Sequence, residues 1–246
     1  MKQFFLGSIL LSFLLVTGCN VVGPSNVQLQ GVSGIPASTE SLSIIDLSIS
    51  VKNTGLETSN SYNLHINLIQ NGNSTILNNS GGLLEIHSGS EASISKKIVL
   101  PLDAVGDCTL EIHFSDDLDN QSVIIKNIEV LPVPKESESN DSRYGNASFL
   151  QKNKGVEGEV TSELDEDWFI LPLNADSIIG ILIDGNLESL AIEIFQDNDA
   201  TSLNTFTDDN FSSQLVLANS TGVNSNIYLR IDSPVNQKYW IIVEEL

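Results

Sequence analysis

Basic side chains are scarce in this chain. Its 246 residues include 11 Lys and Arg against 32 Asp and Glu, a formal net charge of −21. Such a chain gains nothing from neutralising a phosphate backbone, so the composition excludes a nucleic-acid partner, and anionic lipid head groups repel it. The same charge attracts cations and favours solubility. A divalent cation is therefore the partner class that the charge indicates, with plain solubility as the alternative.

Cysteine is nearly absent as well, occurring only at Cys19 and Cys108. If Cys19 is consumed in the processing described below, no internal disulfide can form. Around Cys108 polar and apolar residues alternate, which places its side chain on the same strand face as Leu110 and Ile112. We therefore expect a buried thiol that behaves as a small hydrophobic group, rather than a reactive one.

The sequence also lacks catalytic motifs. It contains three histidines, His65, His87 and His113, on separate predicted strands, and the first and last lie on polar faces where exposed side chains are expected. It has no Gly-x-Ser-x-Gly turn, no His-Glu-x-x-His helix and no phosphate-binding loop. Because nucleophilic hydrolysis needs a nucleophile beside an oriented base, we predict a non-enzymatic protein without catalytic residues.

The longest apolar run is too short for a membrane-spanning helix. Residues 4–16 follow Lys2 and end at Val16-Thr17-Gly18-Cys19, whereas a spanning helix needs about 20 apolar residues. This segment resembles the signal peptide of bacterial lipoproteins; the alternative is an ordinary secretory signal. The resemblance implies that residues 1–18 are removed and that Cys19 carries an N-terminal diacylglyceryl lipid. Asn20 then points to the outer membrane or cell surface if the organism is Gram-negative.

The remaining sequence indicates an all-β protein. Apolar residues recur with period two, separated by Asn, Ser, Gly and Asp, and Asn71-Gly72 is a typical two-residue hairpin turn. Strands are predicted in the first half at 27–32, 42–52, 62–68, 83–87, 92–100, 108–114 and 123–131. In the second half they are predicted at 155–161, 167–173, 178–184, 190–196, 214–218, 227–232 and 239–245.

Two prolines, Pro132 and Pro134, interrupt this pattern and mark a domain boundary. We predict two tandem β-sandwiches, the first immunoglobulin-like and the second jelly-roll-like. The predicted divisions are a signal peptide at 1–18, a lipidated tether at 19–26, a sandwich at 27–132, a Pro-rich linker at 133–135 and a second sandwich at 136–246. Residues 133–246 carry a net charge of −14, whereas residues 20–132 carry −8. We therefore expect any cation site to lie in the second domain.

Turn residues in the first domain suggest a family. Asn53-Thr54-Gly55 ends one predicted strand, and Ser88-Gly89-Ser90-Glu91 precedes another. This pattern resembles the CARDB family of cell-adhesion-related bacterial domains over roughly residues 26–132. Aspartates that are common at the later turns of that family are only loosely matched by Asp116, Asp117 and Asp119, for which we expect a solvated turn rather than a metal loop.

Acidic and amide side chains are dense on both sides of the second domain's first strand. In an extended segment, side chains two residues apart project to the same side. One such set is Glu136, Glu138 and Asn140, and a second set is Asp165 and Asp167. If the two segments pack together, a hard cation such as Ca²⁺ would offset the repulsion between the carboxylates. The alternative is a solvated acidic linker beside an exposed turn.

A second resemblance favours the cation. The Glu-x-Glu-x-Asn-Asp segment is followed by Ala147 and Leu150, by a turn and strand at 158–160, and by Asp-x-Asp-Trp-Phe at 165–169. This order resembles the bacterial pre-peptidase C-terminal (PPC) domain over residues 136–246. The resemblance implies a β-sandwich and a calcium site. Its candidate ligands are Glu136, Glu138, Asn140, Asp141, Asp165 and Asp167.

Aromatic residues of the second domain offer a weaker candidate site. By resemblance to collagen-binding relatives, Tyr228, Tyr239 and Trp240 are candidate ligand-binding residues, with ordinary packing as the alternative. Trp168 and Phe169 lie on opposite faces of one strand, so one of them belongs to the core.

These observations lead to one functional hypothesis. We expect a surface-anchored, non-enzymatic binding or adhesion lipoprotein whose calcium-stabilised C-terminal domain binds a protein or polysaccharide. The alternatives are an accessory or assembly factor that docks to a secreted protease or envelope machine, and a structural spacer.

Overall fold

The computed structural model describes residues 24–137, 140–185, 190–197, 204–207, 215–220 and 222–246. All regular elements in these ranges are β-strands, so the predicted all-β fold of two tandem sandwiches is confirmed. No helix in the described ranges is long and apolar enough to cross a membrane. The predicted signal peptide, residues 1–18, and Cys19 lie outside the described residues.

The first sandwich packs a three-stranded sheet, in the order β1-β3-β6, against a five-stranded sheet, in the order β2-β8-β7-β4-β5. Its core is formed by inward-facing aliphatic residues from both sheets, together with Phe114 and Cys108. Burial raises the pKa of the Cys108 thiol, as expected for the unreactive side chain predicted above. The strands are β1 (Val27–Ser33), β2 (Ser38–Glu40), β3 (Ile44–Asn53), β4 (Ser59–Gln70), β5 (Asn73–Ile86), β6 (Glu91–Val99), β7 (Gly106–Asp116) and β8 (Gln121–Leu131).

The second sandwich packs sheet β10-β17-β12-β15 against sheet β14-β13-β16-β11-β9. Its separate core includes Phe169 and Tyr239, surrounded by Ile, Leu and Val side chains. The strands are β9 (Ser148–Phe149), β10 (Gly155–Val160), β11 (Glu166–Leu173), β12 (Ile178–Gly185), β13 (Ala191–Gln196), β14 (Asn204–Thr207), β15 (Leu215–Ala218), β16 (Ser225–Asp232) and β17 (Gln237–Glu245).

Most predicted strands are present within a few residues of their predicted ends, but three features differ. The hairpin at Asn71-Gly72 has positive φ at both residues, as predicted, yet β5 after it runs for 14 residues where only 83–87 were predicted. Strand β3 begins at Ile44 rather than at Leu42, because Leu42 has a φ of 60° and lies in a turn. The short strands β2, β9 and β14 were not predicted.

The buried side chain of Asn53 organises one end of the first sandwich. Its Oδ1 accepts hydrogen bonds from the backbone N–H groups of Asn26 (3.1 Å) and Gly55 (2.9 Å). Its Nδ2 donates to the carbonyl oxygens of Glu57 (2.7 Å) and Ile86 (2.8 Å). One amide thus satisfies four backbone groups from three segments, which gives the predicted Asn-x-Gly turn its physical role.

The turn after β7 corrects a prediction about its aspartates. Asp116 is buried rather than solvated, and it accepts hydrogen bonds from the N–H groups of Val27, Leu118 and Asn120. Asp117 and Asp119 are exposed, as expected for a turn. Burial alone would raise the pKa of Asp117, but hydrogen bonds from the Asn60 N–H and from two serine hydroxyls outweigh this effect and lower it.

The two sandwiches meet through direct contacts. The Ile44 N–H donates to the Asn153 carbonyl (2.9 Å), and Lys97 Nζ lies 3.2 Å from Glu244 Oε1. Lys154 Nζ donates to Glu40, and this hydrogen bond is the main cause of the lowered pKa of the Glu40 carboxyl. A Cβ added at Gly155 would lie 2.3 Å from Leu42 Cβ, so the backbone of β10 packs directly on Leu42.

The proline-flanked connection is also paired. The Glu157 N–H donates to the Pro134 carbonyl and the Glu136 N–H donates to the Glu157 carbonyl, both at 2.8 Å. Residues 134–136 therefore lie along β10 and belong to the hydrogen-bonded structure of the second sandwich. The exact domain boundaries stay a prediction.

Replacing Asn53 with Ala tests the role of this side chain. Four buried or half-buried backbone groups would lose their partner, so we expect the free energy of unfolding to fall by at least about 2 kcal/mol. Denaturant unfolding followed by circular dichroism measures the change. The exposed Asn79→Ala serves as control, with an expected loss below about 0.5 kcal/mol. Equal effects of the two substitutions would contradict this assignment.

Candidate metal centre

Two carboxylates and an amide meet inside the second sandwich, beside the phenol of Tyr239. We call Glu136, Asn140, Asp167 and Tyr239 the acidic cluster. Asn140, Asp167 and Tyr239 each have 0 % solvent exposure. The sequence predicted the proximity of the first three residues but not the part played by the tyrosine.

Asp167 enters the core because of strand periodicity. In β11, inward-facing positions alternate with outward-facing ones, and Asp167 continues the buried series formed by Phe169, Leu171 and Leu173. Its Oδ2 accepts a hydrogen bond from the Tyr239 hydroxyl at 2.7 Å. A carboxylate therefore occupies a position that the strand pattern would normally give to an apolar residue.

Glu136 reaches the same phenol from the connecting segment. Its Oε1 accepts a hydrogen bond from the Glu159 N–H at 2.5 Å, while its Oε2 accepts from Asn140 Nδ2 at 2.9 Å and lies 3.1 Å from the Tyr239 hydroxyl. The tyrosine has a single hydroxyl proton, which can point to only one of the two carboxylates at a time. Two negative groups are thus brought together around one proton.

Tyr239 is held in place by close packing. Its ring makes an edge-to-face contact with Phe169, with the ring centroids 6.2 Å apart. It also lies across Gly158, where an added Cβ would be 2.2 Å from the ring carbon Cζ. Burial, followed by the charges of Glu136 and Asp167, raises the pKa of the Tyr239 phenol far above its usual value, so the hydroxyl remains a donor.

Asn140 supplies an oxygen as well as a donor. Its backbone carbonyl accepts a hydrogen bond from the Trp168 N–H at 3.0 Å, which ties this segment to β11. Its side-chain Oδ1 is buried and has no hydrogen-bond partner among the described residues. A buried amide oxygen without a partner is costly, and it is a suitable ligand for a hard cation.

The other candidate ligands are placed differently. Asp165 precedes β11 and closes a turn, accepting hydrogen bonds from the N–H and Oγ1 of Thr161 at 2.6 Å each. Asp141 is exposed, and Glu138 lies outside the described residues. In the described part of the chain, no group of three or more His, Cys, Asp or Glu side chains is arranged to hold a metal ion.

The three candidate aromatic ligand-binding residues lie in different parts of the second sandwich. Tyr239 is fully buried in the acidic cluster, and Tyr228 is only 9 % exposed because it packs with Trp168 and Phe195 on the outside of the other sheet. Trp240 is half-buried and lines a groove between the sandwiches with Leu42. The three side chains therefore do not share one exposed surface.

Arg143 anchors the segment that carries Asn140. Its guanidinium lies 4.7 Å from the ring centroid of Phe195, 4.9 Å from that of Tyr228 and 5.0 Å from that of Tyr144. It also donates to the Asp197 carbonyl at 2.5 Å. These cation–π contacts hold the loop before β9 against the sheet.

No protein-family model matches the sequence, and no curated protein sequence matches it. Solved structures with a weak likeness to parts of the chain include the following three. The CARDB domain of a Pyrococcus furiosus protein, solved with di-metal ions, is 13% identical over 45% of this chain and 90% of that one, with a TM-score of 0.32. The pre-peptidase C-terminal domain of a Bacillus anthracis collagenase is 12% identical over 42% of this chain and 98% of that one, with a TM-score of 0.35.

The third likeness is to a β-glucosidase from Listeria innocua solved in complex with glucose. It is 11% identical over 44% of this chain, with a TM-score of 0.34. The present chain spans only 16% of that enzyme's length. Likenesses of this size carry no argument about function.

Replacing Tyr239 with Phe tests the hydrogen bonds of the acidic cluster. The variant keeps the ring but removes the hydroxyl that lies between Glu136 and Asp167, so we expect a loss of about 1 to 3 kcal/mol in the free energy of unfolding. Chemical denaturation measures it. Tyr144→Phe is the matched control, because this side chain is exposed and its hydroxyl makes only a long, solvent-exposed hydrogen bond to the Asp197 carbonyl; it should cost less than about 0.5 kcal/mol. An unchanged midpoint for Tyr239→Phe would contradict the assigned contacts.

Proposed function

We propose that this protein is a surface-anchored, non-enzymatic binding or adhesion lipoprotein whose second sandwich is stabilised by Ca²⁺. The anchor is the diacylglyceryl lipid on Cys19, and the localisation is the cell envelope. The Val16-Thr17-Gly18-Cys19 sequence supports the anchor, and the acidic cluster supports the calcium. The bound partner is a protein or a polysaccharide.

The observation that carries the calcium proposal is that the buried Asp167 and the half-buried Glu136 both lie against one phenol hydroxyl. Removing two carboxylates from water is costly, and their mutual repulsion adds to the cost. A divalent cation offsets both terms because it attracts each carboxylate directly. Calcium accepts six to eight oxygen ligands from carboxylates, amide carbonyls and water.

The chemistry of the cluster fits such an ion. Glu136 and Asp167 supply carboxylate oxygens, and Asn140 supplies the buried Oδ1 that has no hydrogen-bond partner among the described residues. We propose Glu138, Asp141 and Asp165, which flank these residues in the sequence, as further ligands, directly or through water. Since Glu136 is itself paired with β10 and belongs to the segment that connects the two sandwiches, the ion would also strengthen the junction between them.

The exposed faces support binding rather than catalysis. On the outer face of the five-stranded sheet of the first sandwich, Ile76, Val123 and Ile125 are exposed among Asn, Ser and Gln side chains. Mixed apolar and amide surfaces of this kind suit contact with a protein chain or a sugar. The proposed role is therefore attachment, with the lipid as the anchor on the cell.

Calcium titration of the purified protein tests the metal proposal. When free Ca²⁺ is about 100 times its dissociation constant, we expect the free energy of unfolding to rise by about 2.7 kcal/mol relative to protein in chelator. Asp167→Asn keeps the side-chain shape but removes one buried charge, so most of this rise should disappear. In chelator the same variant should be at least as stable as the unsubstituted protein, because the repulsion with Glu136 is relieved.

The matched control is Asp176→Asn, an exposed position in the same sandwich where φ is 55°, a conformation that Asn tolerates. It should retain the full calcium response. A melting temperature that is insensitive to millimolar Ca²⁺ would contradict the metal proposal. So would an equal calcium response in Asp167→Asn and the unsubstituted protein.

Detergent-phase partitioning tests the anchor. The protein produced in a bacterium that processes lipoproteins should enter the detergent phase of a Triton X-114 extract, and Cys19→Ser should shift it to the aqueous phase, since the lipid supplies the membrane affinity. Cys108→Ser is the control and should leave partitioning unchanged. Protease treatment of intact cells then separates an exposed adhesin, which is cleaved, from an internal accessory factor, which is protected.

A further inference from the structure

The outer face of the five-stranded sheet in the first sandwich carries two histidines side by side. His65 on β4 and His113 on β7 are directly paired in the antiparallel register. The flanking pairs, Leu64 with Phe114 and Ile66 with Ile112, are buried in the core. Because side chains alternate along a strand, both imidazoles lie on the outer face.

Directly opposed residues in an antiparallel sheet have Cβ atoms about 4.5 to 5.5 Å apart. At that separation each imidazole can offer one nitrogen to a single ion at a bond length of about 2.0 to 2.1 Å. Both histidines lie in the interior of long, paired strands, so their backbone positions are fixed by the sheet.

A carboxylate orients one of the two rings. Glu111 lies two residues before His113 on the same face, and its Oε2 is 3.2 Å from His113 Nε2. A carboxylate that accepts a hydrogen bond from one ring nitrogen leaves the other nitrogen as a lone-pair donor, the arrangement that metal-binding histidines commonly use. The interaction therefore prepares Nδ1 of His113 for a metal.

The surroundings suit a cation. A shallow cavity of about 370 Å³ lies over the pair and is also lined by Asn67 and Gln121. No Lys or Arg is among the described residues that line it. The strong negative charge of the whole chain raises the local concentration of divalent ions.

We propose that His65 and His113 form a binding site for a divalent transition metal such as Zn²⁺, Cu²⁺ or Ni²⁺, with Glu111 as the positioning residue for His113. The site is empty. Water completes the coordination shell, or a donor group from a bound partner does so. Imidazole nitrogen prefers these ions to Ca²⁺, so the site differs in chemistry as well as position from the acidic cluster of the second sandwich.

Zinc titration followed by proton NMR of the histidine rings tests this site. The full sequence has only three histidines, so single substitutions assign every ring signal. With millimolar Ca²⁺ held constant to occupy carboxylate sites, ZnCl₂ should shift the signals of His65 and His113 together. The signal of His87 should stay in place, because His87 lies beside Thr58 and Glu85 instead of a second histidine.

Substitutions give the quantitative test. His65→Ala and His113→Ala should each lower zinc affinity, measured by calorimetry, at least about tenfold, because a single imidazole remains. Glu111→Gln should lower it about 10-fold or more while leaving two ring signals that respond to zinc. His87→Ala is the matched control and should leave the zinc affinity unchanged.

Three results would overturn the proposal. These are no zinc-dependent shift in either His65 or His113, an equal loss of affinity in His87→Ala, and an affinity that His65→Ala leaves unchanged. Circular dichroism of each variant establishes that the sheet is intact, which is expected because the substituted side chains are on the outer face. The calcium proposal is unaffected by any of these outcomes, since its residues lie in the other sandwich.

Discussion

Negative charge buried beside one phenol proton is the constraint on which the second sandwich depends. Asp167 occupies a core position of β11, Glu136 approaches it from the connecting segment, and Tyr239 contacts both. The contact joins the segment before the sandwich to two of its strands, so the entry of the chain into the domain is tied to its core. A cation bound beside these carboxylates would stabilise both the connecting segment and the domain core. This is the physical basis of the proposed calcium requirement.

Strand periodicity was sufficient to predict the fold class and most strands. Alternating residues around Cys108 and Leu64 placed the correct side chains in the core. Periodicity did not predict strands whose sequences lack the alternating pattern and which are extended only because they pair with a neighbouring strand. The first part of β5 is rich in Asn, Ser and Gly, and it is extended because it pairs with β4 along almost its whole length. Strands as short as β9 have too few residues to show a period.

The site was predicted in part, and for a similar reason. Spacing along the chain showed that Glu136, Asn140 and Asp167 could face one another, but it could not show which strand would lie across them. Tyr239 reaches the cluster through the pairing of β17 with β10, a relation between residues about 80 positions apart. Its inward position was nevertheless readable, because Tyr239, Ile241 and Val243 form one alternating series. Asp165 lies in the turn just before β11, where Thr161 donates to its carboxylate, and the alternation along a strand does not describe its position.

The contact between Gly155 and Leu42 has a consequence for modularity. Tandem sandwiches in extracellular proteins are commonly treated as interchangeable beads on a string. Here the backbone of the second sandwich at Gly155 lies directly on the Leu42 side chain of the first. The adjacent Lys154 forms an ion pair with Glu40 across the same boundary. If the second sandwich followed a different first domain, Gly155 would lose the Leu42 side chain against which it packs. The two sandwiches therefore form one structural unit rather than two exchangeable domains.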